Sequence, residues 1–152
     1  MSQRPARQAS PRLEPTTGYL VVRIAEAIDR KFVEHLAPLG IRPRHLHVLR
    51  QLHAHGSMSQ QALAELIRVD PGNLIATLDE LQADGLIRRD VDSGDRRRRV
   101  LQVTARGVRM LRQGVTASER ADDEVLGNLS QAERASLRSA ALHVYEHLRR
   151  SP

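Results

Sequence analysis

GLIRRDVDSGDRRRRVLQVTARG, residues 85–107, decides the fold of the chain. Leu86 and Ile87 form a short apolar pair able to face inward, and Arg88 and Arg89 follow. Asp92-Ser93-Gly94-Asp95 is a turn cluster, with Gly94 free to take a positive φ. Arg96 to Arg99 put four positive charges at and just after that turn. Val100-Leu101-Gln102-Val103 is rich in β-branched and apolar residues and reads as a returning strand. The stretch predicts a two-stranded hairpin with guanidinium groups at its tip. A narrow arm of that kind suits a groove lined with phosphates, which arginine binds in a bidentate manner.

The rest of the composition narrows the class. With 152 residues, 40% hydrophobic and 28% charged, the chain reads as one globular, soluble domain with its own core. No apolar run approaches the ~20 residues that span a bilayer. The opening MSQRPARQASPRLEPTT lacks the apolar region of a secretory signal, so the expected location is the cytoplasm. The absence of cysteine removes disulfides, thiolate chemistry and cysteine-ligated zinc. Lys+Arg total 24 against 18 Asp+Glu, a net charge of +6, and Lys31 is the only lysine. Between Gly85 and Arg112 nine arginines stand against three aspartates, so this segment alone matches the whole excess. Such concentration points to nucleic acid more than uniform basicity would. The plainer alternative is a solvated charged hairpin.

Residues 1–16, rich in Pro, Ser, Gln and Arg, read as a disordered basic tail. A first helix is expected from Gly18, with Leu20, Ile24, Ile28, Phe32 and Leu36 on one stripe and Pro38 and Gly40 ending it. Pro43 starts a second, with Leu46, Leu49 and Leu52 inward and Gly56 after it. Ser57 or Ser59 caps a third, through Ala62, Leu63, Leu66 and Ile67. Asp70-Pro71 restarts the chain as cap and first residue of a fourth, with Leu74, Leu78 and Leu81 inward, Asn73 and Ala76 outward and Thr77 on the flank. Two short helices joined by about three residues make a helix-turn-helix or an ordinary helical hairpin. Followed directly by the charged arm, they read as a winged helix-turn-helix. Thr104 then caps a fifth helix through Val108, Leu111 and Val115, and Gly127-Asn128 breaks it. Ser130-Gln131-Ala132-Glu133 is a capping box for a sixth, with Leu137, Ala141, Val144 and Leu148 on one face.

The expected class is therefore mainly α with a small β-hairpin wing. A winged helix-turn-helix spans about 43–103, and helices at about 17–39 and 104–150 have no room in so small a lobe. They read as a dimerisation bundle.

The segment Leu63–Gly107, LAELIRVDPGNLIATLDELQADGLIRRDVDSGDRRRRVLQVTARG, resembles the MarR family of bacterial transcription regulators. Its wing follows that family's G-L-(I/V)-x-R, D-x-R, L-T-x-x-G pattern, and LAPLGIRPRHLHVLRQL, Leu36–Leu52, resembles the family's first helix junction. The resemblance implies a homodimeric, sequence-specific DNA-binding protein, usually a repressor that a small ligand releases. It implies that Asp95 orients Arg97 for entry into the minor groove. The DNA-contacting set expected is Ser59, Gln60, Asn73, Ala76, Thr77, Arg88, Asp95, Arg96, Arg97 and Arg98, with Asn73 reading adenine edges. The fourth helix departs from the family: basic residues are common there at the positions of Ala76 and Glu80, whereas this helix carries Asp70, Asp79, Glu80 and Asp84 with no base. That shifts binding energy towards the wing and phosphate contacts.

For a small anionic or aromatic ligand the candidates are Arg23, His45, His47 and Arg50, each of which has an ordinary structural reading as well. Absence of cysteine argues against a thiol switch. His45, His47, His53 and His55 scatter over several faces, and His143 with His147 suits a helix end, so no metal and no cofactor is expected. No nucleophile with a base, carboxylate pair or phosphate loop marks an enzyme. The competing readings are a winged-helix protein-interaction module and a non-specific architectural DNA-binding protein.

Overall fold

The computed structural model describes residues 14–91, 94 and 99–150. Most of the expected tail, the turn residues Asp92 and Ser93, and the wing-tip residues Asp95, Arg96, Arg97 and Arg98 lie outside the described residues. The chain runs α1 (Thr17–Leu36), a short 3₁₀ turn (Ala37–Leu39), α2 (Pro43–His55), α3 (Gln60–Ile67), α4 (Pro71–Ala83), β1 (Ile87–Val91), β2 (Arg99–Val103), α5 (Ala105–Leu126) and α6 (Gln131–Arg150).

Every α-helix start except that of α2, which follows Arg42 and opens on Pro43, is capped by a residue type that local chemistry favours. Thr16 accepts the Tyr19 N–H at 3.3 Å, Ser59 accepts that of Ala62 at 3.1 Å, and Thr104 accepts that of Gly107 at 3.0 Å. Ser130 and Glu133 form the expected reciprocal box, with Ser130 N–H donating to the Glu133 carboxylate at 2.8 Å. Of the two candidate caps for α3, Ser59 is the one used.

The winged lobe closes over one leucine-rich core. Leu46, Leu49 and Leu52 of α2 meet Leu63 of α3, Leu74, Leu78 and Leu81 of α4, and Leu86, Ile87 and Leu101 of the hairpin. Burying each such side chain is worth about 1.5–3 kcal/mol. The inner face of α3 differs from expectation. Leu63 and Ala64 are buried and Ile67 partly so, while Ala62 and Leu66 face outward. An eight-residue helix wedged between α2 and α4 presents only a narrow stripe inward, and the small Ala64 fits it.

β1 and β2 pair antiparallel, with Ile87 opposite Val103 and Val91 opposite Arg99. A third short segment joins them, which the sequence pattern did not indicate. Met58 bridges Leu101, its N–H donating to the Leu101 carbonyl at 3.3 Å and its carbonyl accepting the Leu101 N–H at 2.8 Å.

The wing is fastened to α5 by backbone contact. Thr104 Oγ1 donates to the Gly85 carbonyl at 2.7 Å, and Thr104 N–H donates to the Leu86 carbonyl at 3.0 Å. One turn on, Gly107 lies so close that an added Cβ would sit 2.1 Å from the Leu86 carbonyl oxygen. Beyond it α5 buries Leu111, Gly114, Ala117 and Ala121, a face mostly of small residues that lets α1 and α2 approach closely. Helix α6 buries no residue at all: Leu142, Val144, Tyr145 and Leu148 are exposed, as are Tyr19 to Val22 at the start of α1.

Gly107→Ala is expected to cost at least about 1–3 kcal/mol, the usual range for forcing extra atoms into a filled site. Gly18, with open space around it, should tolerate alanine at no cost or with a gain of roughly 0.5 kcal/mol. Urea denaturation of both variants checks this, and equal stabilities would refute the close approach.

Candidate nucleic-acid interface

Asp70 and Pro71 set the start of α4. The Asp70 carboxylate accepts the Gly72 N–H at 2.8 Å, and Pro71 begins the helix. Leu74, Leu78 and Leu81 hold the helix to the core, which leaves Gly72, Asn73, Ile75, Ala76 and Asp79 facing out. Thr77, expected on the flank and among the DNA contacts, is buried at 5% exposure, so it does not belong to the presented face. A methyl-bearing side chain between Leu74 and Leu78 continues the inner stripe, and helical period outweighs polarity there. Ser59 is half-buried and engaged as the α3 cap, and Gln60 is half-buried beside it.

The acids of α4 are not bare. Arg44 of α2 holds Glu80 at 2.7 and 2.8 Å, and His45 Nε2 donates to the same carboxylate at 2.6 Å. His45 Nδ1 accepts the Arg42 N–H at 3.2 Å, so the ring proton sits on Nε2 and both nitrogens are satisfied. On the other flank Arg89 of β1 binds Asp79 at 2.7 Å and the Gln82 side chain at 2.5 Å. Thus α4 is latched to α2 on one side and to the wing on the other. Neither latch was expected, because the partners are 35, 36 and 10 residues apart, with no local pattern to reveal them.

Arg88 is exposed and points along the wing, bonded to Asp90 at 2.6 Å and Gln102 at 2.6 Å. Such surface pairs cost little to exchange for a phosphate. Arg99 is exposed on β2. The four remaining wing candidates, Asp95, Arg96, Arg97 and Arg98, lie outside the described residues.

The ligand candidates are not gathered. His45 is 4% exposed and consumed by the Glu80 and Arg42 bonds, so it belongs to the framework and is not available to a ligand. Arg23 is on the exposed half of α1, paired with Glu26 at 2.6 Å. Arg50 is exposed on α2. His47 lines a cleft of about 490 Å³ beside α4, together with Arg44, Val48, Asn73 and Ala76. Among the described residues no group of three or more His, Asp or Glu could hold a metal ion, and no helix is long and apolar enough to cross a membrane.

The Arg44 hydrogen bond, then that of His45, holds the Glu80 carboxyl below its usual value of 4.5. A depressed carboxyl contributes stability that is present above the unfolded value and lost as pH falls through the folded one. Glu80→Gln should therefore be less stable than the wild type at pH 7, and the gap should narrow as both are acidified below about pH 4.5. Thermal denaturation at several pH values reads this directly, and a gap that widens towards acid would contradict the assignment.

Three comparisons with known proteins agree with this geometry. The model of the MarR family matches residues 41–98, from the start of α2 to the wing tip. A Thauera aromatica protein named as a transcriptional regulatory protein for the hcr operon is 32% identical over 113 residues, covering 74% of this chain and 68% of the relative. Among solved structures, apo wild-type MarR from E. coli superposes with a TM-score of 0.77 at 25% identity, over 87% of this chain and 98% of that one. A cysteine-to-serine variant of E. coli MarR complexed with operator DNA gives 0.66 at 26% identity, over 84% and 91%. With its helix-turn-helix, its wing and these relatives, the chain belongs to the MarR family.

Proposed function

We propose that the protein is a homodimeric, sequence-specific DNA-binding repressor of transcription, acting in the cytoplasm on an inverted-repeat operator. The observation that carries this reading is α4. Its first turns are open to solvent, its inner stripe is buried, and its Asp79 and Glu80 are paired with Arg89 and Arg44, His45 also donating to Glu80. The E. coli relative complexed with operator DNA supports it. The bases read would face Asn73 and Ala76, with Ser59 and Gln60 near the backbone. Arg88, Arg96, Arg97 and Arg98 would meet phosphates or the minor groove, and Asp95 would orient Arg97.

The dimer would form through the long helices. Val21, Ile24 and Ile28 of α1, Leu126 of α5, and Leu137 and Ala141 of α6 line an apolar groove of about 500 Å³. With the bare α6, it gives a second copy a large apolar surface to cover. Release by a small anionic or aromatic ligand is part of the proposal. His47 would take part. With Arg44 it lines the cleft that shares Asn73 and Ala76 with the face meant for DNA, so a ligand there would compete for that face.

Light scattering should give twice the chain mass of 17.1 kDa, and a footprint on the operator should show two half-sites about 10 bp apart or a multiple of a turn. A stable monomer, or protection without sequence preference, would overturn the homodimeric repressor in favour of an interaction module or an architectural protein.

The wing supplies a second test. Arg97→Ala should weaken operator binding by about 1–3 kcal/mol per subunit, and lower the salt slope by about one for each phosphate charge it neutralised. Asp95→Ala should weaken binding although it removes a negative charge, because Arg97 loses its orienting partner. Salt titrations on operator and random duplex decide it. Tighter binding by Asp95→Ala would show that charge alone governs the wing.

A further inference from the structure

The side chains that α4 presents specify a kind of base pair. In the major groove guanine is read by Arg or Lys at O6 and N7, cytosine by a carboxylate at its amino group, adenine by Asn or Gln, and the thymine methyl by apolar contact. Helix α4, PGNLIATLDELQA, contains no Arg, Lys or His, so it has no guanine reader. Its two acids are engaged elsewhere: Asp79 by Arg89 at 2.7 Å, Glu80 by Arg44 at 2.7 Å and by His45 at 2.6 Å. A carboxylate so paired already has its charge matched and its side chain turned to α2 or to the wing, so it offers cytosine a weaker acceptor. The helix is left with the amide of Asn73, the methyl of Ala76 one turn on, and Ile75, which is 46% exposed although the core lies directly behind it. Val69, on the turn before α4, extends this apolar surface.

We propose that α4 reads A·T pairs, with Asn73 on adenine and Ile75 and Ala76 against thymine methyl groups. This rests on the reading of the protein as a sequence-specific DNA-binding regulator. It explains why an isoleucine stands exposed on the first turns of the helix: the cost of leaving it in water is recovered against a methyl group that only thymine carries. It also explains how a recognition helix without a base can still discriminate.

The test begins with duplexes selected by the wild-type protein from a randomised pool, then changes single atoms of the DNA. Replacing a thymidine by deoxyuridine removes one methyl group and nothing else. At one or more half-site positions this should weaken binding about three- to fourfold, as expected for unburying one methyl-sized group. The loss should vanish in Ile75→Ala or Ala76→Gly. Replacing adenine by 7-deazaadenine removes N7 and should weaken the wild type but not Asn73→Ala. Replacing guanine by 7-deazaguanine within the half-site core should change nothing. The DNA changes are read on the wild-type protein, so they stand even if a variant folds poorly. Indifference to deoxyuridine at every position would overturn the proposal. So would a guanine N7 dependence, above all one abolished by Arg68→Ala, which would move base reading to the turn. Specific selection with either result leaves the regulator intact and removes only the A·T reading, whereas no sequence selection overturns both.

Discussion

The carbonyl of Leu86 is where the two halves of this molecule are joined. It ends the turn after α4, and it accepts from the N–H and the hydroxyl of Thr104 at 3.0 and 3.2 Å. Gly107 rests against it with no room for a side chain. The wing, the recognition helix and the long α5 thus converge on one peptide group. The backbone parts of this contact leave little freedom, because neither a peptide N–H nor a glycine has a rotamer to change. A Thr followed three residues later by Gly is the sequence form of that constraint: the hydroxyl caps α5 and ties back to the turn after α4, and the missing Cβ lets the helix lie close against that turn.

The electrostatics of the lobe follow from how α4 is held. Taken as a sequence, α4 and its ends look hostile to DNA, with four acids and no base. In three dimensions Arg44 and Arg89 close over Glu80 and Asp79 from opposite sides, and His45 completes the first pair from inside. Exposed pairs of this sort add little stability. Their greater effect is on field and position: they offset negative charge beside the exposed first turns of α4, and they tie the helix to α2 and to the wing.

The parts legible in the sequence were those governed by short-range rules. Asp70-Pro71, Thr104 and Ser130 with Glu133 rest on chemistry within four residues, and α4, α5 and α6 begin there; the two strands of the wing also form where the apolar and β-branched residues predict them. The leucine stripes of α2 and α4 were equally plain, since every leucine assigned inward is buried. What escaped depends on partners distant in the chain. His45 looked like a ligand residue until Glu80, 35 positions away, claimed it. Thr77 looked like a flank residue until packing drew its methyl inward. Met58 gave no strand signal because a single bridge has no periodicity. The small face of α5, Gly114, Ala117 and Ala121, is inconspicuous because a hydrophobic stripe is sought among large residues.

That small face also sets how the long helices act on the recognition helix. Gly114 lies against Leu46 so closely that a Cβ there would meet its Cδ1 at 2.3 Å. Leu46 is the neighbour of His45, whose ring is fixed at both nitrogens between the start of α2 and Glu80 of α4. The path from α5 to α4 therefore runs through one packed side chain and one doubly bonded ring to the half-exposed Glu80 carboxylate. The other path runs through Leu86 and the wing to Arg89 and Asp79. A shift of α5, the helix that also packs along α1, must move α4 by both routes or break one of them. Contiguous contacts of this kind are the physical basis on which a change among the long helices is felt at α4.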